Sequence, residues 1–284
     1  MLDFLQYGFL QRALASAVVI GFTCSVMGVF VVIQGLSFVG AGIAHGAFAG
    51  VALGLLLGFD PLIGAAVAAV LMALFIGYTK RQGKLNADAS IGISFSFALA
   101  LAVLFIGLMP GFNADLMSYL FGNLLAVDTS ELWFSLGLGG IVLAVIALFF
   151  KEFQFITFDP VLAEASGLPV HLLFDGLLVL VSLAIVLSLR AAGELLVMAF
   201  LVIPAAIAWQ WSTSLAPMII LSGLIGTVSA VVGLVISFYF DVPTGSSIVL
   251  LLVALFFVSS LLSTRSWRVP IRRGREGEGK SEEQ

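Results

Sequence analysis

Two ionisable side chains stand inside long apolar runs, His45 and Glu194. His45 lies nine residues into the run 36–58. At 1.5 Å per residue that is about 13 Å into a hydrocarbon core about 30 Å thick. An imidazole at this depth either ligates a borderline metal or bonds a neighbouring helix. Glu194 heads the run Glu194-Leu-Leu-Val-Met-Ala-Phe-Leu-Val-Ile-Pro204, where a carboxylate can bind a cation. Arg190 lies four residues earlier, however, and in a continuous helix the two would form a local ion pair. The same depth estimate puts Glu194 nearer the outer surface than His45. Polar groups at membrane depth cost about 3 kcal/mol, so both residues are functional candidates. Around His45, Gly42, Gly46, Gly50, Gly54 and Gly58 recur every fourth residue. They draw a bare stripe along one helix face, suited to close helix packing. Pro204 frees a carbonyl mid-run and predicts a kink.

The remaining chemistry is sparse. Gly274-Arg-Glu-Gly-Glu-Gly279-Lys280-Ser281 fits the phosphate-loop pattern. That loop works only between a strand and the N-terminus of a helix, whereas this one sits in a Gly/Glu/Arg tail. Two histidines, one cysteine and no HExxH give an intramembrane enzyme nothing to work with. The chain reads as a non-enzyme, with any ATP hydrolysis in a separate protein. Cys24 is the lone cysteine, so no intrachain disulfide can form.

The elements that must hold these residues follow from composition. Of 284 residues, 61% are hydrophobic and only 10% charged, and the mean hydropathy is +1.20. Soluble domains carry about 25% charged residues, so an ordinary soluble enzyme, a disordered chain and a nucleic-acid binder are excluded. Apolar runs at 10–33, 36–58, 61–79, 90–109, 131–150, 173–190, 193–211, 215–239 and 246–263 are each long enough to cross a bilayer as a helix. They do not alternate as barrel strands do. The expected fold is an all-α, polytopic transmembrane bundle of eight to nine spans, with 115–128 either a short dipping helix or a loop. The domain reading is a transmembrane domain over 1–264 and a charged, disordered cytoplasmic tail over 265–284.

Basic residues orient the bundle. Lys80, Arg81 and Lys84, then Lys151, then Arg265, Arg268, Arg272, Arg273 and Arg275 fall on one side if the crossings number nine. That side is the cytoplasm, with the N-terminus outside and Arg190 the exception. The cytoplasmic segment 151–172 holds a second group of candidates. Asp159 reads as a helix N-cap, Pro160 as the first helical residue, and Gly167 and Pro169 as the stop. A helix under two turns long does not persist alone and needs a docking partner.

Four stretches together carry a family resemblance: Leu36-Ser-Phe-Val-Gly-Ala-Gly-Ile-Ala-His45-Gly-Ala-Phe-Ala-Gly-Val-Ala-Leu-Gly54, Ala114-Asp-Leu-Met-Ser-Tyr-Leu-Phe-Gly-Asn-Leu-Leu-Ala126, Glu194-Leu-Leu-Val-Met-Ala-Phe-Leu-Val-Ile-Pro-Ala-Ala206 and Phe240-Asp-Val-Pro-Thr-Gly-Ser-Ser-Ile-Val-Leu250. With these, the chain resembles the permease subunits of bacterial ATP-binding-cassette importers for zinc, manganese and iron. The resemblance implies a multi-pass protein of the bacterial plasma (inner) membrane that pairs as a homodimer. It also implies two ATPase subunits below, an extracytoplasmic metal-binding protein above and surrounding lipid, with no nucleic acid. Metal would be cargo, with no cofactor resident in the chain. Asp159, Pro160, Glu164 and Gly167 would form the helix that couples to the ATPase. The family often has an Asp four residues before the histidine, and here that position is Ala41. His45 and Glu194 are therefore the expected metal-binding pair, Glu194 replacing the lost carboxylate or else pairing with Arg190. The competing reading is a secondary transporter of a cation or small metal chelate. It would show an inverted repeat, and none is evident. No acidic ring of a channel is present either.

Overall fold

The computed structural model describes residues 7–82, 87–109, 119–120 and 122–263. The tail 265–284 with its phosphate-loop look-alike, Lys84 and most of the 110–121 stretch lie outside them. The described residues form helices α1 (Gly8–Ile33), α2 (Val39–Leu57), α3 (Pro61–Arg81), α4 (Ala87–Leu108), α5 (Thr129–Leu148), α6 (Phe150–Phe158), α7 (Pro160–Ala165), α8 (Val170–Trp211), α9 (Leu215–Phe240) and α10 (Thr244–Leu262). A 3-10 turn, Leu124–Ala126, precedes α5.

Local chemistry sets several boundaries. Gly58 ends α2 in a left-handed conformation at φ 77°. The Asp60 side chain accepts from Leu62 N at 2.8 Å, and Pro61 opens α3. At α5, Asp128 accepts from Glu131 N at 2.7 Å while Glu131 accepts from Asp128 N at 3.2 Å, a closed capping box.

Eight helices are long and apolar enough to cross a membrane. One of them, α8, has 42 residues and is broken at Gly193, whose φ of 75° and ψ of 163° are not helical. Its first limb, 170–192, spans about 34 Å and its second, 194–211, about 27 Å. The limbs run in opposite directions, as α1 shows when used as a ruler. The C-terminal end of α1 lies beside α6, where Gln34 donates to Thr157 Oγ1 at 3.3 Å. The first limb starts from that end and reaches Cys24 of α1 by Ser188, Sγ to Oγ 3.0 Å. The second limb then meets Gly28, where the Leu201 carbonyl lies so close that a Cβ would stand 2.1 Å from it. Residue 201 is thus back toward the end where the first limb began. The eight helices therefore supply nine membrane-length limbs, and the separate runs expected at 173–190 and 193–211 are the two arms of a hairpin.

The bundle packs through small residues. In lipid, apolar burial supplies little drive and close packing must do more. Gly50 of α2 and Gly64 of α3 meet backbone to backbone; a Cβ on Gly50 would come within 2.1 Å of the Gly64 carbonyl. Gly21 of α1 and Gly226 of α9 meet in the same way, and Ser222 Oγ donates to the Ser25 carbonyl at 2.7 Å.

The segment 151–172 is more ordered than a connector. Residues 150–158 form α6, whose Phe153 and Ile156 are buried, and α8 has already begun at Val170. The run of Lys151, Glu152 and Gln154 ended the apolar stretch, yet its buried positions three residues apart are helical. The termini of α3, α6, α7 and both feet of α8 share one end of the bundle: Arg81 pairs with Asp175, and Trp211 Nε1 donates to Ser259 Oγ of α10 at 2.8 Å.

Candidate metal site

The break at Gly193 determines what meets what. By reversing the chain there, it makes Glu194 the first residue of the second limb and faces it toward α2. Gly40, with no side chain, lets α2 lie against Met198 and Leu201 of that limb. One turn further along α2, His45 meets Glu194: His45 Nδ1 and Glu194 Oε1 are in direct contact, an ion pair when the imidazole is protonated. The depth difference expected between them is not found. It assumed that Glu194 opens a limb at the outer surface, whereas the hairpin carries it down beside the middle of α2.

Glu194 is 5% exposed. Its Oε1 lies directly against His45 Nδ1. His45 Nδ1 bonds to the Ala41 carbonyl at 3.1 Å. In the neutral Nδ1–H tautomer the ring donates from the side that faces the Ala41 carbonyl and Glu194, and its Nε2 lone pair points out of the opposite side of the ring. The imidazole packs against Phe95 of α4, ring centroids 4.3 Å apart, which limits its rotation. A buried carboxylate at the N-terminal end of a limb gains from the helix dipole, and the adjoining imidazole is its polar partner.

Arg190 is not part of this contact. It pairs with Glu131 Oε1 at 2.5 Å, and Glu131 is also the closing residue of the α5 capping box. The alternative Arg190–Glu194 pair required a continuous helix and is overturned by the reversal at Gly193. Among the described residues no three His, Cys, Asp or Glu side chains gather into a metal-binding group.

Above the apex, Gly122, at φ 65°, lies on Ala192 and Gly193; a Cβ there would stand 2.2 Å from the Ala192 carbonyl carbon. This contact was not evident from the sequence. Neither were Gly193, Glu131 and Phe95, although Asp128-Thr-Ser-Glu131 is a capping-box pattern visible in the chain.

At the opposite end, Asp159 accepts from Leu162 N at 2.9 Å and Pro160 opens α7. Gly167, at φ 84°, turns the chain and donates to the Glu164 carbonyl at 2.9 Å. Glu164 itself faces outward. Phe158, Val161, Leu162 and Leu172 are all more than half exposed around this short helix, an uncovered apolar surface.

Comparison with known proteins matches residues 6–263 to the ABC 3 transport family. The chain is 38% identical to the "Manganese transport system membrane protein MntC" of Halalkalibacterium halodurans, over 93% of its own length and 92% of that protein's. It is 37% identical to the "Chelated iron transport system membrane protein YfeD" of Yersinia pestis, over 90% and 86%. Among solved structures it is similar to PsaBC from Streptococcus pneumoniae in complex with Fab, with a TM-score of 0.83, 39% identity and coverage of 93% and 95%.

Proposed function

The chain belongs to the ABC 3 transport family, and from that premise we propose that it is the membrane-spanning permease of an ATP-driven importer of divalent metal ions: manganese, iron or zinc. It is a multi-pass protein of the bacterial inner membrane. In this reading it works as a homodimer, with two ATPase subunits on the cytoplasmic face and a metal-loaded binding protein on the outer face. The relatives named for manganese and chelated iron support the cargo class.

One observation carries the reading into this chain's own residues: a buried carboxylate, Glu194, in direct contact with an imidazole, His45, inside the membrane-spanning bundle. His45 and Glu194 hold the passing cation, Glu194 supplying the charge that replaces the family's Asp at Ala41. Alternating access then requires that the pair face each side in turn, the lid of Gly122 over the apex shutting the outer route. Asp159, Pro160 and Gly167 shape the coupling helix α7, whose exposed Val161 and Leu162 seat in the ATPase. Glu164 faces the same partner.

The test is a reconstituted complex with its ATPase and binding protein, assayed for ATP-dependent uptake across a panel of cations. The wild type is expected to import at least one of manganese, iron and zinc. Glu194→Gln keeps the side chain's shape and should cut uptake at least about tenfold, since even outer-shell partners of a metal commonly contribute that much. Full uptake by an assembled Glu194→Gln complex rules out the ligand role. If no ATPase co-purifies with the chain, the permease reading fails.

A further inference from the structure

A cavity of about 1020 Å³ opens on the end of the bundle that holds the hairpin apex. Its lining includes Leu195, the residue after Glu194, which is 63% exposed. Its walls come from the Gly122–Leu125 stretch, from Phe9 of α1 and from the turn joining α9 to α10. Among the described residues lining it, Asp241 carries the one formal charge. Asp241 is exposed, forms no ion pair with a described residue, and is held at φ 52° and ψ 43° at the end of α9. The turn behind it is pinned by Ser237 Oγ, which donates to the Val242 carbonyl at 2.7 Å and lies 2.8 Å from Thr244 Oγ1. The Asp241 backbone is thereby held in the cavity wall.

From this geometry we infer that the cavity is the outer vestibule for a hydrated divalent cation, and that Asp241 draws the ion in ahead of the His45–Glu194 pair. The inference rests on the importer reading above. Six waters at about 30 Å³ each fit several times over, so the ion enters without losing its shell. Mostly apolar walls focus the field of a lone carboxylate along the cavity axis, and that field is screened over about 8 Å at physiological salt. The vestibule reaches Leu195, the chain neighbour of Glu194. Asp241 is thus a positioning residue that sets capture, whereas Glu194 sets passage.

The experiment uses the complete importer in proteoliposomes, with manganese as the cargo. Asp241→Asn tolerates the same backbone and is expected to raise KM about threefold at low ionic strength, with kcat unchanged and the difference gone at high salt. Asp241→Cys adds a second readout, because the only native cysteine, Cys24, is fully buried. Modification from outside with a sulfonate-bearing thiol reagent should restore the wild-type KM, while a trimethylammonium-bearing one should raise it further. Equal effects from the two reagents, or an unchanged KM in Asp241→Asn, overturn the inference while wild-type uptake leaves the importer reading intact. Binding of the metal-free binding protein, titrated in parallel, is expected to be unchanged; a matching loss there would assign Asp241 to protein docking instead. If the wild type moves no divalent cation, both readings fall.

Discussion

At the residue scale, the decisive feature is the buried contact between Glu194 and the His45 imidazole. His45 and Glu194 stand out in the sequence because each is ionisable within an apolar run. Their contact does not, since it depends on a reversal at one glycine within Arg190-Ala-Ala-Gly-Glu194. Ala41 offers a direct test of the substitution logic. It lies one turn before His45 on α2, and its carbonyl already touches the imidazole. Ala41→Asp in a Glu194→Gln background returns a carboxylate to the imidazole's helix face. Uptake is expected to recover by several fold. A double variant as inactive as Glu194→Gln alone would show that the two positions are not interchangeable. The Arg190–Glu131 pair is a separate matter: the Arg190 side chain is 51% exposed, so Glu131→Gln is expected to cost no more than about 1 kcal/mol from the lost pair, read as a small drop in Tm.

At the element scale, local signals were reliable where the physics is local. Asp159, Pro160 and Gly167 delimit α7 in the sequence as they do in the structure, because a cap, a first-turn proline and a left-handed stop act within a few residues. Asp159→Ala should weaken that helix by about 1 kcal/mol and lower ATP-coupled uptake with little change in global Tm. The element reading failed at α6, where three polar side chains concealed a helix that buries Phe153 and Ile156. It also missed the meaning of Gly193, because a glycine before a carboxylate looks the same in a straight helix and in a reversal. Only glycine adopts its φ and ψ without strain, so Gly193→Ala should destabilise the hairpin by about 1–3 kcal/mol, measured as loss of Tm in detergent. The bare stripe on α2 makes a matching prediction. Gly50→Leu drives a side chain into the Gly64 backbone and should cost about 1–3 kcal/mol or prevent assembly, whereas the same change at Gly137, which has open space around it, should be silent.

At the scale of the whole molecule, the two ends differ in chemistry. One gathers Lys80, Arg81 and Lys151 beside the exposed apolar ring around α7; the other holds the vestibule, the capped start of α5 and the hairpin apex. Cysteines at Val161 and Asn123 should therefore label from opposite faces of oriented vesicles. Labelling of both from one face would refute the nine-limb topology. That topology also has a mechanical consequence. Both feet of the hairpin stand on the side of α7, and the first foot begins at Val170, a few residues past the end of that helix at Ala165. The two limbs behave as a pair of tongs whose handles lie at the face where an ATPase would grip and whose tip carries Glu194. A small tilt of one handle is transmitted about 34 Å along a stiff rod to the tip, where no side chain cushions Gly122 against Gly193. Were α7 displaced by a partner, the rods would carry that movement to the carboxylate as a change in how tightly the tip closes.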